Sequence, residues 1–165
     1  MGTQVVQYGS LTSANSAAPT HTPGTVYQDL ATGVTYQYVN FDNGAGNVAC
    51  AAGNVAYVKT LASYVVTMDI SDSLTTKQNG CCGVFVNAIT DAYYGWMIVR
   101  GPYSAVLTDG GDDIAIDDSC IAHATTDGVV DTTASGTAPV SRIVGTATAA
   151  DSSTAVACWV TVGGM

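Results

Sequence analysis

The chain contains no glutamate: all thirteen of its acidic residues are aspartates. Glutamate is a good helix former, whereas aspartate competes for backbone hydrogens and favours turns and caps, so long helices are not expected. Basic residues are scarce as well, with Lys59, Lys77, Arg100 and Arg142 the only four. So few cations cannot neutralise a run of phosphates, and a net charge of −9 disfavours both nucleic acid and anionic membranes as partners. Long apolar runs are missing: residues 155–162 are far too short to span a bilayer. Met1-Gly2-Thr3-Gln4 opens with neither a basic segment nor an apolar stretch, so no secretory or membrane signal is expected. Val6 occupies the place where a myristoylation motif needs Ser or Thr.

Motifs that carry chemistry are equally sparse. The five cysteines, at 50, 81, 82, 120 and 158, include no C-x-x-C pair and are odd in number, which suggests neither a zinc site nor a closed disulfide framework. They read as small buried hydrophobes, with Cys81 and Cys82 on opposite faces of any strand that holds them. No G-x-S-x-G elbow, H-E-x-x-H pair or P-loop occurs. Two histidines, no glutamate and four basic residues make a small kit for general acid–base work. The expectation is a protein that is not an enzyme and needs no cofactor.

What is present points to sheet. Four Asx-Gly steps, at 43–44, 79–80, 109–110 and 127–128, separate β-rich segments. Both residues of such a step tolerate the positive φ of a tight hairpin turn. Strands are expected over residues 25–29, 34–41, 55–59, 63–70, 83–89, 95–100, 103–108, 120–123, 128–130, 141–147 and 155–162. Tyr64, Val66, Met68 and Ile70 repeat with period two, so one face of that strand should point inward. Pro102, which cannot donate to a ladder, is placed with Gly101 in a turn. One helical turn near 116–119 is the only helix expected. Strand spacing of this kind marks barrels and sandwiches. The fold class is therefore all-β: a compact barrel- or sandwich-like body of short antiparallel strands. A chain of 165 residues is long enough to build a real core as one domain without staples.

Residues 1–24 differ from the rest. They are rich in Ser, Thr, Ala and Pro, a composition that builds no core by itself and predicts an extended N-terminal arm ahead of a single domain over 25–165. A short strand over 5–8 would form by pairing with a neighbouring chain or with the body's own sheet edge. Val5, Val6, Tyr8, Leu11, His21 and Pro23 are the candidate partner-binding residues of this arm. Hydrophobic content of 47% with only 10% charge leaves two readings of the surface, one packed against neighbours and one solvated by Thr, Ser, Asn and Gly.

Three further groups invite chemical readings. Asp109, Asp112, Asp113, Asp117 and Asp118 offer oxygen ligands, and the first three are a weak candidate metal site. Their spacing does not match a calcium loop, and aspartates also belong in turns because they bond their own downstream backbone. Cys120 and His123 would point to opposite faces of a strand and so cannot exchange a proton. Tyr93, Tyr94, Trp96 and Tyr103 read either as a carbohydrate-stacking platform or as core and oligomer packing.

The series Gly95-Trp96-Met97-Ile98-Val99-Arg100-Gly101, Asp109-Gly110, Thr126-Asp127-Gly128-Val129 and Arg142-Ile143-Val144-Gly145-Thr146-Ala147, closed by a terminal apolar strand, resembles the capsid decoration proteins of tailed bacteriophages. His21-Thr22-Pro23-Gly24-Thr25-Val26 and Tyr36-Gln37-Tyr38-Val39-Asn40-Phe41 add to the likeness. The resemblance covers nearly the whole chain, although it does not account for the five cysteines. It implies a β-rich body on the outer surface of a phage head, bound across capsomers as a homotrimer. The implied partners are the major capsid protein and other copies of the chain. An acidic chain suits the outer face, away from the genome. Rival readings are another virion component, such as a tail tube, head fibre or spike base, and a carbohydrate- or calcium-dependent binding module.

Overall fold

The computed structural model of the protein describes residues 15–46, 48–74, 80–111, 113–132, 143–162 and 164–165. Among them the regular structure is β throughout, apart from short 3-10 turns at Gly44–Gly46, Leu61–Ser63 and Ile70–Asp72. The ten strands are β1 (Val26–Asp29), β2 (Val34–Phe41), β3 (Val55–Thr60), β4 (Val65–Thr67), β5 (Cys81–Phe85), β6 (Tyr94–Leu107), β7 (Ser119–Ala122), β8 (Val130–Thr132), β9 (Ile143–Ala147) and β10 (Ala155–Val160).

They hydrogen-bond in the order β1-β2-β4-β3-β5-β6-β10-β9-β7-β8, and β2 also pairs with β6. That extra pairing closes β2, β4, β3, β5 and β6 into a five-stranded barrel, while β10, β9, β7 and β8 extend from β6 as a second sheet. The expected all-β body is therefore present, and among the strand ladders of the described residues one departs from antiparallel pairing: β2 and β4 are parallel. The chain leaving β2 skips one position, and the antiparallel pair of β3 and β4 then folds back so that β4 fills the gap. β8 comes back towards the barrel strands, where Thr108 bridges Val130.

β6 corrects one expectation. The two strands expected over 95–100 and 103–108, joined by a turn at Gly101-Pro102, are one strand of 14 residues, Tyr94–Leu107, that serves both sheets. Its first half, to Arg100, pairs with β2, and from Gly101 onward it pairs with β10, where Pro102 lies opposite Trp159. Gly101 makes the change of direction possible with φ of 112°, in the region that excludes side chains; a Cβ there would lie 2.8 Å from the Val34 Cα. A proline is tolerated in a strand at such an irregularity.

Two smaller differences have local causes. The expected strand over 63–70 shrinks to β4, because Tyr64 adopts a left-handed φ of 53° and Asp69, whose side chain accepts from the Ser71 N–H, starts a 3-10 turn at Ile70. Val66 and Ile70 are nonetheless buried, so the inward face persists in part. No helical turn forms near 116–119, since Asp117 has φ of 71° and β7 already begins at Ser119. The expected turn at Asn79-Gly80 lies only partly within the described residues.

Three clusters of buried side chains follow from strand alternation. Val39, Phe41, Ala56, Val58, Val66, Cys82, Phe85, Met97 and Val99 fill the barrel. The opposite face of β3, β5 and β6 presents Val55, Tyr57, Val84 and Ile98 to Cys120, Val144, Val156 and Cys158 of the second sheet. Tyr38 and Trp96, on the outer faces of β2 and β6, form a third cluster with Tyr27, Tyr36, Val86 and Tyr94. All five cysteines are buried, as expected of small hydrophobes.

Candidate interaction surface

The third cluster poses a physical problem that residues 15–25 solve. A tryptophan and a tyrosine on the outside of a barrel would stand in water, yet Trp96 and Tyr38 are both fully buried. The chain before β1 runs over them as a strap. Thr20 places its backbone N–H and its hydroxyl each 3.1 Å from the Tyr38 hydroxyl, so the phenol is buried with partners. His21 lies edge-on to both rings, with centroids 5.2 Å from Tyr38 and 5.3 Å from Trp96. The Gly24 N–H donates to the Tyr38 carbonyl at 2.7 Å, and the Tyr38 N–H donates to Thr25 at 2.8 Å, which leads the strap into register beside β2.

At its other end the strap is tied to the mouth of β6. Ser16 and Tyr94 exchange two backbone hydrogen bonds, of 3.3 and 2.9 Å. The Asn15 side chain both donates to the Thr90 hydroxyl, at 3.1 Å, and accepts from the Thr90 N–H, at 3.0 Å. Pro19, Thr20, His21, Thr22, Pro23 and Thr25 line an open groove of about 490 Å³ along the strap. Next to it β1 is the outermost strand of the sheet, with Val26 59% and Leu30 86% exposed. An edge strand offers unpaired backbone groups to any incoming strand, and here it is flanked by exposed apolar side chains.

A second exposed face lies on the far sheet. Trp159 is 44% exposed and sits between Pro102 of β6 and Thr146 of β9, with Ile143 exposed at the start of β9. A shallow hollow of about 330 Å³ beside it is lined by Pro102, Tyr103, Ser104, Thr148 and Ala157, none of them charged.

The residues singled out from sequence fall as follows. Val5, Val6, Tyr8 and Leu11 lie outside the described residues. His21 and Pro23 are part of the strap. Tyr94 and Trp96 belong to the cluster beneath it, Tyr93 packs against the barrel core, and Tyr103 packs against the core between the sheets. The four aromatics are thus distributed over three environments, and the Trp96 ring is enclosed within its own chain. Burial pushes the Tyr103 phenol above its ordinary pKa.

In the acidic loop, Asp112 lies outside the described residues and Asp113 is exposed. Asp109 instead faces His123, at 3.3 Å from Nε2, and also accepts from the Gly111 N–H at 3.0 Å. The backbone N–H groups of Thr125 and Thr126 donate to His123 Nδ1 at 3.1 and 2.8 Å, which leaves the ring hydrogen on Nε2, towards Asp109. His123 thus clamps the loop before β8 to the end of β6, and its nitrogens are engaged in structure. Among the described residues no three His, Cys, Asp or Glu side chains converge as metal ligands.

One more charged group braces the barrel mouth. Lys59 bonds Asp42 at 3.0 Å and Asp72 at 3.1 Å. Burial works against the Lys59 ammonium, but the two carboxylates outweigh it and raise its pKa. The Gly44 N–H and then Lys59 hold the Asp42 carboxyl below its ordinary value of 3.8.

Sequence reasoning missed Asn15, Ser16, Thr20 and Tyr38 as parts of this surface. A signal existed: Tyr36 and Tyr38 alternate with Gln37, Val39 and Phe41, so β2 carries large side chains on both faces and its outer face needs a cover. No family model, curated protein or solved structure matches the chain.

Proposed function

We propose that this chain is a structural virion protein that decorates and stabilises the outer surface of a tailed-phage capsid, docking across capsomers as a homotrimer without transforming any molecule. The observation that carries the reading is the strap. Residues 15–25 are fastened along the barrel wall by main-chain and aromatic contacts, so the chain preceding Asn15 departs from a fixed point at the start of β6, where Asn15 bonds Thr90 and Ser16 bonds Tyr94. Residues 1–14 span about 50 Å when fully extended.

Supporting features are of the same kind. The exposed residues Val26, Leu30, Ile143 and Trp159 are apolar and lie on strands or at their ends, suited to packing and strand addition. The scarcity of cations together with a charge of −9 suits a surface that does not touch the genome. A protein that binds the assembled lattice and not separate subunits shifts assembly by mass action, and repeated contacts within one oligomer multiply the effect.

The test is removal of residues 2–14, which spares the strap. Added to undecorated heads, the truncated protein is expected to keep its melting temperature and lose occupancy, read by electron microscopy. Undiminished occupancy, or a density on the genome-facing side, would overturn the reading.

A further inference from the structure

β7 and β10 do not pair with each other, because β9 runs between them. On that shared neighbour Cys120 lies opposite Gly145 and Cys158 opposite Ala147. Partners in a sheet share a face, and Gly145 puts no side chain between the two thiols. Both are fully buried in the core between barrel and second sheet. The curl of the sheet around that core brings their sulphurs to 2.9 Å, although 38 positions separate them in sequence. A disulfide bond measures about 2.05 Å and usually holds its two Cα atoms within about 6.8 Å, so closing it draws β7 and β10 towards each other across β9.

We propose that Cys120 and Cys158 are an oxidation site, forming an intramolecular disulfide that staples β7 to β10 across β9. The oxidant is a low-molecular-weight disulfide such as oxidised glutathione. One cysteine attacks it, forming a mixed disulfide and releasing one reduced glutathione; the second cysteine then displaces the other. Two protein thiols and one glutathione disulfide thus become one protein disulfide and two glutathione thiols, with atoms and electrons balanced.

Two of the remaining cysteines are engaged in the other core. Cys50 meets the Asn87 carbonyl and the Ile89 N–H, and Cys82 meets the Ala56 carbonyl, both in the barrel core. Cys81, on β5, is buried in the same core as the pair, but the 2.9 Å sulphur approach is between Cys120 and Cys158. The Cys120 sulphur and burial together push the Cys158 thiol pKa up. Thiolate is therefore scarce in the closed core, and exchange proceeds while the chain folds or opens locally.

The experiment refolds the reduced, unfolded chain in mixed oxidised and reduced glutathione, blocks remaining thiols under denaturing conditions, and maps peptides by mass. One bond is expected, lowering the mass by about 2 Da and linking the peptides of Cys120 and Cys158. Closing this loop should raise the melting temperature by on the order of 10 °C. The rise should vanish with reductant and in Cys158→Ala, and persist in Cys50→Ala. Five blocked thiols, glutathione adducts alone, a link to another cysteine, or a link without any thermal shift would each overturn the proposal. The peptide map on the unsubstituted chain decides it even where a variant fails to fold.

Discussion

His21→Ala is the sharpest probe of the strap. The substitution removes two edge-on ring contacts, with centroid separations of 5.2 and 5.3 Å, and touches no backbone hydrogen bond. Each such contact is worth about 0.5–1.5 kcal/mol beyond its buried area, so the strap should lose about 1–3 kcal/mol of docking energy. At 1.4 kcal/mol per tenfold, strap opening becomes about 5- to 150-fold more frequent.

Hydrogen exchange reads this directly. The amides of Ser16, Thr20 and Gly24 bond the barrel only while the strap is docked, and should exchange faster by that factor. The amides of Phe41 and Phe85 bond within the barrel and its connecting loops and should be unchanged. Unaltered exchange at Gly24 would show that His21 does not hold the strap. Equal acceleration at Phe85 would show that strap and barrel open as one unit, and would refute the division between them.

Further outcomes follow from particular residues. Gly101→Ala should destabilise by about 2 kcal/mol or more, because a Cβ at φ of 112° also meets Val34 backbone; Gly33→Ala, with φ of 75° and open space around it, should cost about 1 kcal/mol in the same melting experiment. Asp69 is held below its ordinary pKa of 3.8 by the Ser71 hydroxyl and then by backbone N–H groups. A carboxylate depressed in the folded state stabilises above its unfolded pKa, and that contribution is lost as pH falls through the folded value. Asp69→Asn should therefore flatten the stability profile only below about pH 4, by less than about 1 kcal/mol for a group still partly open to solvent; an effect at neutral pH exceeding that would contradict the assignment.

The sequence exposed the fold where alternation and turn chemistry agreed. β2, β7 and the start of β10 lie close to where strand-forming residues and nearby turn signals place them. The Gly101-Pro102 step misled for a physical reason: locally it is a turn signal, yet β10, more than fifty residues later, supplies the partner that carries the strand across it. The strap was legible only as an atypical composition. Its anchors, Asn15 to Thr90 and Thr20 to Tyr38, join residues up to 75 positions apart, and nothing local encodes them. The same holds for Asp109 with His123 and for Cys120 with Cys158, which touch only because two strand systems share one core.

That shared core bears on how attachment would work. Because β6 belongs to both sheets, the strap's bridge at Tyr94 and the Trp159 face opposite Pro102 sit on one continuous strand, eight residues apart. At about 3.3 Å per residue the separation along the strand is at most about 26 Å. Two contact surfaces held at a fixed spacing reward a partner that presents matching features at the same spacing, since the second contact then forms within an existing complex. A lattice of repeated subunits offers such spacing and a dissociated subunit does not. If the chain decorates a phage head as proposed, adding a flexible glycine within the Gly101-Pro102 bend should weaken binding to assembled heads more than binding to isolated capsid subunits, a difference measurable by comparing occupancy with subunit affinity. Equal weakening of both would mean that the two faces act separately, and the rigid strand between them would have no part in recognising the shell.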